Sequence, residues 1–274
     1  MSGPDFLCIG AQKSGTTWLD YILRASESVW LPPIKELQFF NELFMPSSFT
    51  WTDEHRMINA ERILKNNSDK NERWLDLVRH IGFEKSNYDW YDHIFSHSNK
   101  KVCGEITPEY SLLSEEHVLE IKDKFPNLKI IFMMREPYSR AVSNIKMRML
   151  QKGIDNSSDP KVIKAFVSEA VNDWDLIERG NYEKIICTWS KVFGKERCLF
   201  ILLTEIYSCP VEVIKHIADF LNIEINVANI NIDSKVHVGH EVFIDEEDKK
   251  LIRLSQEKNI LWFDKNHMHF KIKE

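Results

Sequence analysis

The stretch Phe6–Trp18, FLCIGAQKSGTTW, decides how this chain folds. Its first four residues, Phe6 to Ile9, are apolar and read as a short buried strand. Gly10 and Gly15 bracket a tight loop. Thr16, Thr17 and Trp18 then open a helix whose Leu19, Ile22 and Leu23 share one face. A strand, a glycine-bounded loop and a helix N-terminus in succession make an anion site. Backbone N–H groups converge there, and the helix dipole favours negative charge. Lys13 adds a full positive charge inside the loop. The expected product is a cradle for a phosphate-like group.

Working outward, four more strands are expected. They are Leu37–Phe40, Lys101–Glu105, Lys129–Met134 (KIIFMM) and Cys198–Leu203 (CLFILL). The last two are continuous apolar runs, the mark of strands buried on both faces. Helical spacing fills the intervals: from Ser114, from Tyr138 to Leu150, from Val162 to Ile177, around Ile214–Leu221, and from Asp245. Alternation of strands and helices predicts an α/β fold, with a central parallel sheet flanked by helices. Such sheets bind ligands at the carboxyl ends of their strands. The glycine loop and Arg135, directly after KIIFMM, both fall at such ends. The chain, 1–274, is read as a single domain. Residues 51–100, rich in Asn, Lys, Asp and Ser, are read as a helical insertion near the acceptor site or as an ordinary solvated helical pair.

Composition limits the function. A chain of 274 residues with 43% hydrophobic content can bury a sizeable core. A net charge of −6 argues against nucleic acid or another polyanion as partner, so a basic site must be local. Five cysteines without a CxxC pair predict buried, reduced thiols and no zinc. His93 and His97, one helical turn apart, lack an obvious third ligand, and no metal is expected. No membrane segment stands out, which predicts a cytoplasmic protein or a soluble catalytic domain cut from something longer.

The loop departs from the ATP-binding pattern GxxxxGK[ST], in which lysine follows the second glycine. Here the glycine spacing is kept, lysine has moved to position 13, and Thr16 takes its usual place. A strand-end acid that would help to hold magnesium is replaced by Arg135. Two cationic positions without a metal position suit a nucleotide with phosphate at both ends of its ribose.

These residues resemble the sulfotransferases that use 3′-phosphoadenosine 5′-phosphosulfate (PAPS) and release the 3′,5′-bisphosphate PAP. One signature of that family stands here as Gln12–Trp18, and the second as Arg135 with Ser143 eight residues later. The resemblance implies a P-loop-like sulfotransferase fold. It implies that Lys13, Ser14, Gly15, Thr16, Thr17 and Trp18 hold the 5′-phosphosulfate, and that Arg135 and Ser143 hold the 3′-phosphate. Lys35–Phe40 (KELQFF) resembles the K-E-x-H-F-F segment of the heparan-sulfate and carbohydrate branch. Gly104–Tyr110 resembles that branch's E-K-[ST]-P-x-Y, and Gly180–Phe193 its G-x-Y…W…F segment. A soluble, bacterial-like member of that branch is implied.

From the same resemblance Glu36 is the candidate base, with a salt bridge to Lys35 as its plain alternative. Lys13 would meet charge on the leaving phosphate. Glu105 is a reserve base or orienting group, Lys35 would steady the sulfonate, and Trp90 and Tyr91 would line the acceptor pocket. Trp174, Trp189 and Trp262 are read as core. The departures are Gln38 for the family's His, Ile106 for a Lys, and Ser234–Lys235 as a weak substitute for a late K-G-R loop. With those cations missing, a small hydroxyl or amine compound, a glycolipid or a polyketide-like metabolite fits better than a long sulfated polysaccharide, and the acceptor is taken as a small molecule, a glycolipid or a carbohydrate. Two other classes stay open: a P-loop kinase or nucleotidase, and a non-catalytic nucleotide-binding relative.

Overall fold

A computed structural model describes residues 3–67, 69–99, 101–230 and 242–272. Among them, five strands form one parallel sheet: β1 (Phe6–Cys8), β2 (Val29–Trp30), β3 (Val102–Ile106), β4 (Lys129–Met134) and β5 (Cys198–Leu202). The order is β2-β3-β1-β4-β5. The chain leaves β1 toward β2 and β3 on one side, then crosses to β4 and β5 on the other. The crevice beyond the carboxyl ends of β1 and β4 is thus the switch point at which open α/β sheets bind ligands.

Alternation along the strands sends side chains into two layers. Leu7, Ile130, Phe132 and Met134 enter one core cluster, and Phe6, Cys8, Ile131 and Met133 the other. Every residue of β4 after Lys129 is fully buried. Each such apolar side chain contributes about 1.5–3 kcal/mol on burial. The first layer is covered by α2 (Phe39–Phe44), α3 (Thr52–Asn66), α4 (Glu72–Phe83), α5 (Tyr88–Phe95), α6 (Glu115–Lys124) and α10 (Tyr182–Phe193). The second is covered by α1 (Thr16–Arg24), α11 (Leu203–Ser208) and α12 (Pro210–Leu221). A third cluster joins α7 (Pro137–Gln151), α8 (Pro160–Ala170), α9 (Trp174–Glu178) and α13 (Glu246–Ser255), and α14 (Glu257–Asn266) adds Phe263 to the first. No helix among the described residues is long and apolar enough to cross a membrane.

Four sequence expectations change. Leu37–Phe40 is not a strand: Gln38 has φ 60, a left-handed conformation that no strand accommodates, and α2 begins at Phe39. The two-residue β2 takes the sheet edge instead and is too short to leave an apolar pattern. The expected helix Val162–Ile177 is two helices, broken at Val171–Asp173, so the 3.6-residue period does not carry through to Trp174. Trp174 is 50% exposed rather than core, whereas Trp189 is buried and Trp262 packs partly against the first cluster. Cysteine burial is also uneven. All five thiols are free, and Cys8, Cys103 and Cys198 are buried, but Cys187 is exposed on α10.

Candidate functional site

The loop after β1 is pinned by its backbone. Ile9 N–H donates to Ile131 O at 3.0 Å, Ala11 N–H to Met133 O at 2.7 Å, and Met133 N–H to Gly10 O at 2.7 Å. The β1–β4 pairing therefore continues into the loop itself. Gly15 ends the loop with φ 98, and a Cβ there would stand 2.9 Å from Leu203 Cδ1, so position and conformation both call for glycine. Gly15 is also the N-cap of α1. No side chain caps this helix, and its first turn holds no acid. Its orphan N–H groups face the loop without a side-chain partner, which is the chemistry an anion satisfies.

Lys13 has φ 69 and sends its amine to Met147 Sδ, 3.8 Å away on α7. Met147 is one turn beyond Ser143, so the two share a helix face. Arg135 leaves the end of β4, and its Nη1 donates to the Lys13 carbonyl at 3.4 Å. Its own carbonyl accepts from the Tyr182 hydroxyl at 2.8 Å. Tyr182 belongs to the Gly180–Phe193 motif. Burial, and next the Arg135 charge, push the Lys13 amine below its ordinary value, and Glu36 and its charge pull the other way. Lys13, Arg135, Lys35 and Glu36 thus lie within electrostatic reach of one another.

Lys35 Nζ spans Thr17 Oγ1 on α1 at 3.5 Å and Glu36 Oε1 at 3.2 Å. Burial first, and then the Glu109 charge, raise the Glu36 carboxyl above its ordinary value, while Lys35 and His55 oppose the shift. The segment that carries Glu36 is held by side chains. Glu36 and Gln38 both have positive φ, 62 and 60. Arg56 Nη1 on α3 donates to the Leu37 carbonyl at 3.0 Å. The Leu37 N–H donates to Glu105, and Gln38 Nε2 donates to Glu109 Oε2 at 2.8 Å. Phe40 N–H reaches the Tyr110 hydroxyl at 3.4 Å.

The Gly104–Tyr110 motif is therefore the platform under the Lys35–Phe40 motif. Glu105 is 2% exposed and accepts from Tyr91 OH at 2.5 Å, Tyr110 OH at 2.8 Å and Thr107 Oγ1 at 2.9 Å. Burial raises its carboxyl to about 7 despite these donors. Its oxygens are engaged on the core side, and this is an anchoring arrangement. Tyr91 and Trp90, expected at an acceptor pocket, are 0% and 3% exposed and stack among Phe39, Phe95 and His80. Their aromatic spacing marks core. Trp18 likewise buries its ring in the second cluster and leaves only backbone at the loop. Ser14 and Thr16 are buried in the loop, while Thr17 is partly exposed. Ser234–Lys235 lies outside the described residues.

Sequence reading assigned no role to Gln12, Asn144, Glu109, Arg179 or Arg56. Only Gln12 and Glu109 carry a hint, Gln12 as the first residue of the Gln12–Trp18 signature and Glu109 as an acid at the variable position of E-K-[ST]-P-x-Y. A separate open cleft lined by Ser28, Lys101, Asp219 and Asn222 lies at the amino end of β3, away from all these residues.

A family model described as "Sulfotransferase family" matches residues 4–226. Among curated proteins, the chain is 24% identical over 175 residues to the membrane-associated sulfotransferase kil1 of Dictyostelium discoideum, covering 64% of this chain and 29% of that one. It is 26% identical over 158 residues to heparan sulfate glucosamine 3-O-sulfotransferase 3B1 of Mus musculus, covering 54% and 40%. The chain thus spans less than half the length of these relatives. Among solved structures, a sulfotransferase from Alicyclobacillus acidocaldarius superposes with a TM-score of 0.65 at 20% identity, covering 99% of this chain and 98% of that one. The sulfotransferase domain of the Synechococcus PCC 7002 olefin synthase gives 0.54 at 16% identity, covering 96% of each. Both are likenesses of fold.

Proposed function

This chain belongs to the sulfotransferase family, and we propose that it moves the sulfuryl group of PAPS to a hydroxyl or amine of a small or carbohydrate-like acceptor, leaving PAP. PAPS is the donor substrate and supplies a sulfuryl group joined to a phosphate oxygen. The residues fit it. The uncapped N-terminus of α1, the loop backbone and Lys13 would take the phosphosulfate, and Arg135 with Ser143 the 3′-phosphate. The observation that carries the reading is the joining of the two cationic positions: Arg135 donates to the Lys13 carbonyl, and the Lys13 amine rests on the helix that bears Ser143.

Transfer is an in-line displacement. The bond from the acceptor atom to sulfur forms, and the sulfur–oxygen bond to phosphate breaks, its electron pair going to the phosphate oxygen. Lys13 and the loop N–H groups meet that growing charge. Glu36 takes the acceptor proton, and its raised carboxyl has the basicity of a group poised nearer neutral pH. Lys35, between Thr17 and Glu36, steadies the sulfonate as it passes.

Thermal unfolding with PAP, ATP–magnesium and NADH tests the donor class. At a hundredfold excess over Kd, PAP should add about 2.7 kcal/mol and raise Tm by several degrees. A larger shift with ATP–magnesium, or none with PAP, sinks the proposal.

A further inference from the structure

We propose that Glu109 is a positioning residue for the transfer, one buried carboxylate that sets both the donor loop and the segment bearing Glu36. This rests on the reading of Glu36 as the base.

Three donors from three separate parts of the chain converge on its two oxygens. Gln12 Nε2, next to Lys13 in the donor loop, reaches Oε1 at 3.2 Å. Arg179 Nη1, just past α9, reaches Oε1 at 3.1 Å. Gln38 Nε2, two residues from Glu36, reaches Oε2 at 2.8 Å. The chain of bonds extends at both ends. Asn144, beside Ser143 on α7, donates to Gln12 Oε1, and Asn41 Nδ2 donates to the Glu109 carbonyl at 3.2 Å. Gln38, Asn41, Glu109, Arg179 and Asn144 are all at most 4% exposed. One connected path therefore runs from the α7 turn that carries Ser143, through the donor loop, to the base segment.

A core ion pair alone would need only Arg179. It would not draw in amides from both functional loops, nor hold Gln38 at φ 60. The carboxylate is required because it offers acceptor oxygens and no hydrogen, so all three donors are satisfied together. A glutamine of the same shape would turn its NH₂ against one of them. The Glu109 charge also bears on Glu36, whose raised carboxyl owes part of its shift to that neighbour. Lys35 and His55 oppose the shift, and the Lys13 amine, which feels the Glu36 charge, opposes it in turn.

The test is Glu109→Gln, read without any acceptor. Glu36 is titrated through its side-chain carboxyl carbon in protein labelled with ¹³C-glutamate, with Glu36→Gln assigning the resonance. PAP binding is measured by calorimetry. The Glu36 midpoint should fall, because a negative neighbour has gone, and Kd for PAP should rise about 2- to 10-fold as the Gln12 tie is lost. A Glu36 midpoint or a PAP affinity that stays where it was overturns the proposal, even if Tm drops. If Arg179 left alone prevents folding, Glu109→Gln with Arg179→Gln removes both charges and is read in the same way. Failure of the base reading looks different: Glu36→Gln would then hydrolyse PAPS to PAP and sulfate, water taking the sulfuryl group, at the parent's rate, whatever Glu109 does.

Discussion

The loop Gly10–Gly15 and the loop Lys35–Gln38 face the same end of one sheet, and each places a lysine beside it. The first is held mainly by main-chain bonds to β4, with a glycine at φ 98, one left-handed non-glycine residue, Lys13 at φ 69, and a side-chain tie from Gln12 to Glu109. The second makes two left-handed turns on Glu36 and Gln38, where glycine would be easier, and is held by side chains from α3, β3 and the turn after it. A non-glycine residue in that region costs about 1–2 kcal/mol, so the surroundings of the second loop must impose its shape. Anion binding uses backbone N–H groups, which a loop can carry by itself. A base must instead point at one atom with a tuned affinity for a proton, and only neighbours can arrange that.

Four substitutions probe this contrast, in falling order of effect. Glu36→Gln should cut turnover by about 10²- to 10⁴-fold and leave PAP affinity within a few-fold. In the parent protein, turnover should fall as pH drops through the raised Glu36 midpoint, at higher pH than an ordinary carboxylate would give. Rate profiles against pH read both, and a large loss of PAP binding would mean that the two loops are not separable. Lys13→Ala should lower turnover by about 10²- to 10³-fold while the loop backbone stays ordered; retained transfer would contradict its role on the leaving group.

Glu105→Gln addresses the platform beneath the base loop. The folded midpoint of about 7 stands above the ordinary 4.5, so the native state keeps a proton that the unfolded chain releases. Stability from this group is present below pH 4.5 and lost as pH rises through 7, by about 3 kcal/mol for a fully buried carboxyl. Urea unfolding at pH 4 and pH 8 should show the variant gaining on the parent by that amount at the higher pH, and parallel pH profiles would refute it. The smallest effect is expected of Arg135→Ala, which should weaken PAP binding about 10- to 100-fold, the worth of a charged hydrogen bond. Calorimetry checks it, and unchanged affinity would detach Arg135 from the nucleotide.

What could be read in advance follows the same division. β1, its loop, α1, β4 and Arg135 are contiguous stretches whose meaning lies in local pattern: an apolar run, two glycines, and a cation at a strand end. The fold class followed from their alternation. Gln12 and Glu109 lay inside quoted motifs without a role, because a buried polar contact across about a hundred residues of chain has no periodicity. Trp90 and Tyr91 were drawn toward an acceptor pocket because aromatic composition does not separate core from cleft. Leu37–Phe40 reads as a strand because its apolar letters hide the left-handed backbone of Gln38.

By itself the sequence determined a parallel α/β sheet with a glycine-bounded loop at its switch point, since hydrophobic period and glycine placement act through neighbours a few residues away. Only the tertiary structure decided which carboxylates are locked among donors: Glu105 and Glu109 are each 2% exposed, whereas the Glu36 side chain stays 27% exposed beside Lys35. The environment of Glu36, Glu105 and Glu109 is made by donors from distant segments, and burial among those donors, rather than residue type, sets what each carboxyl can do.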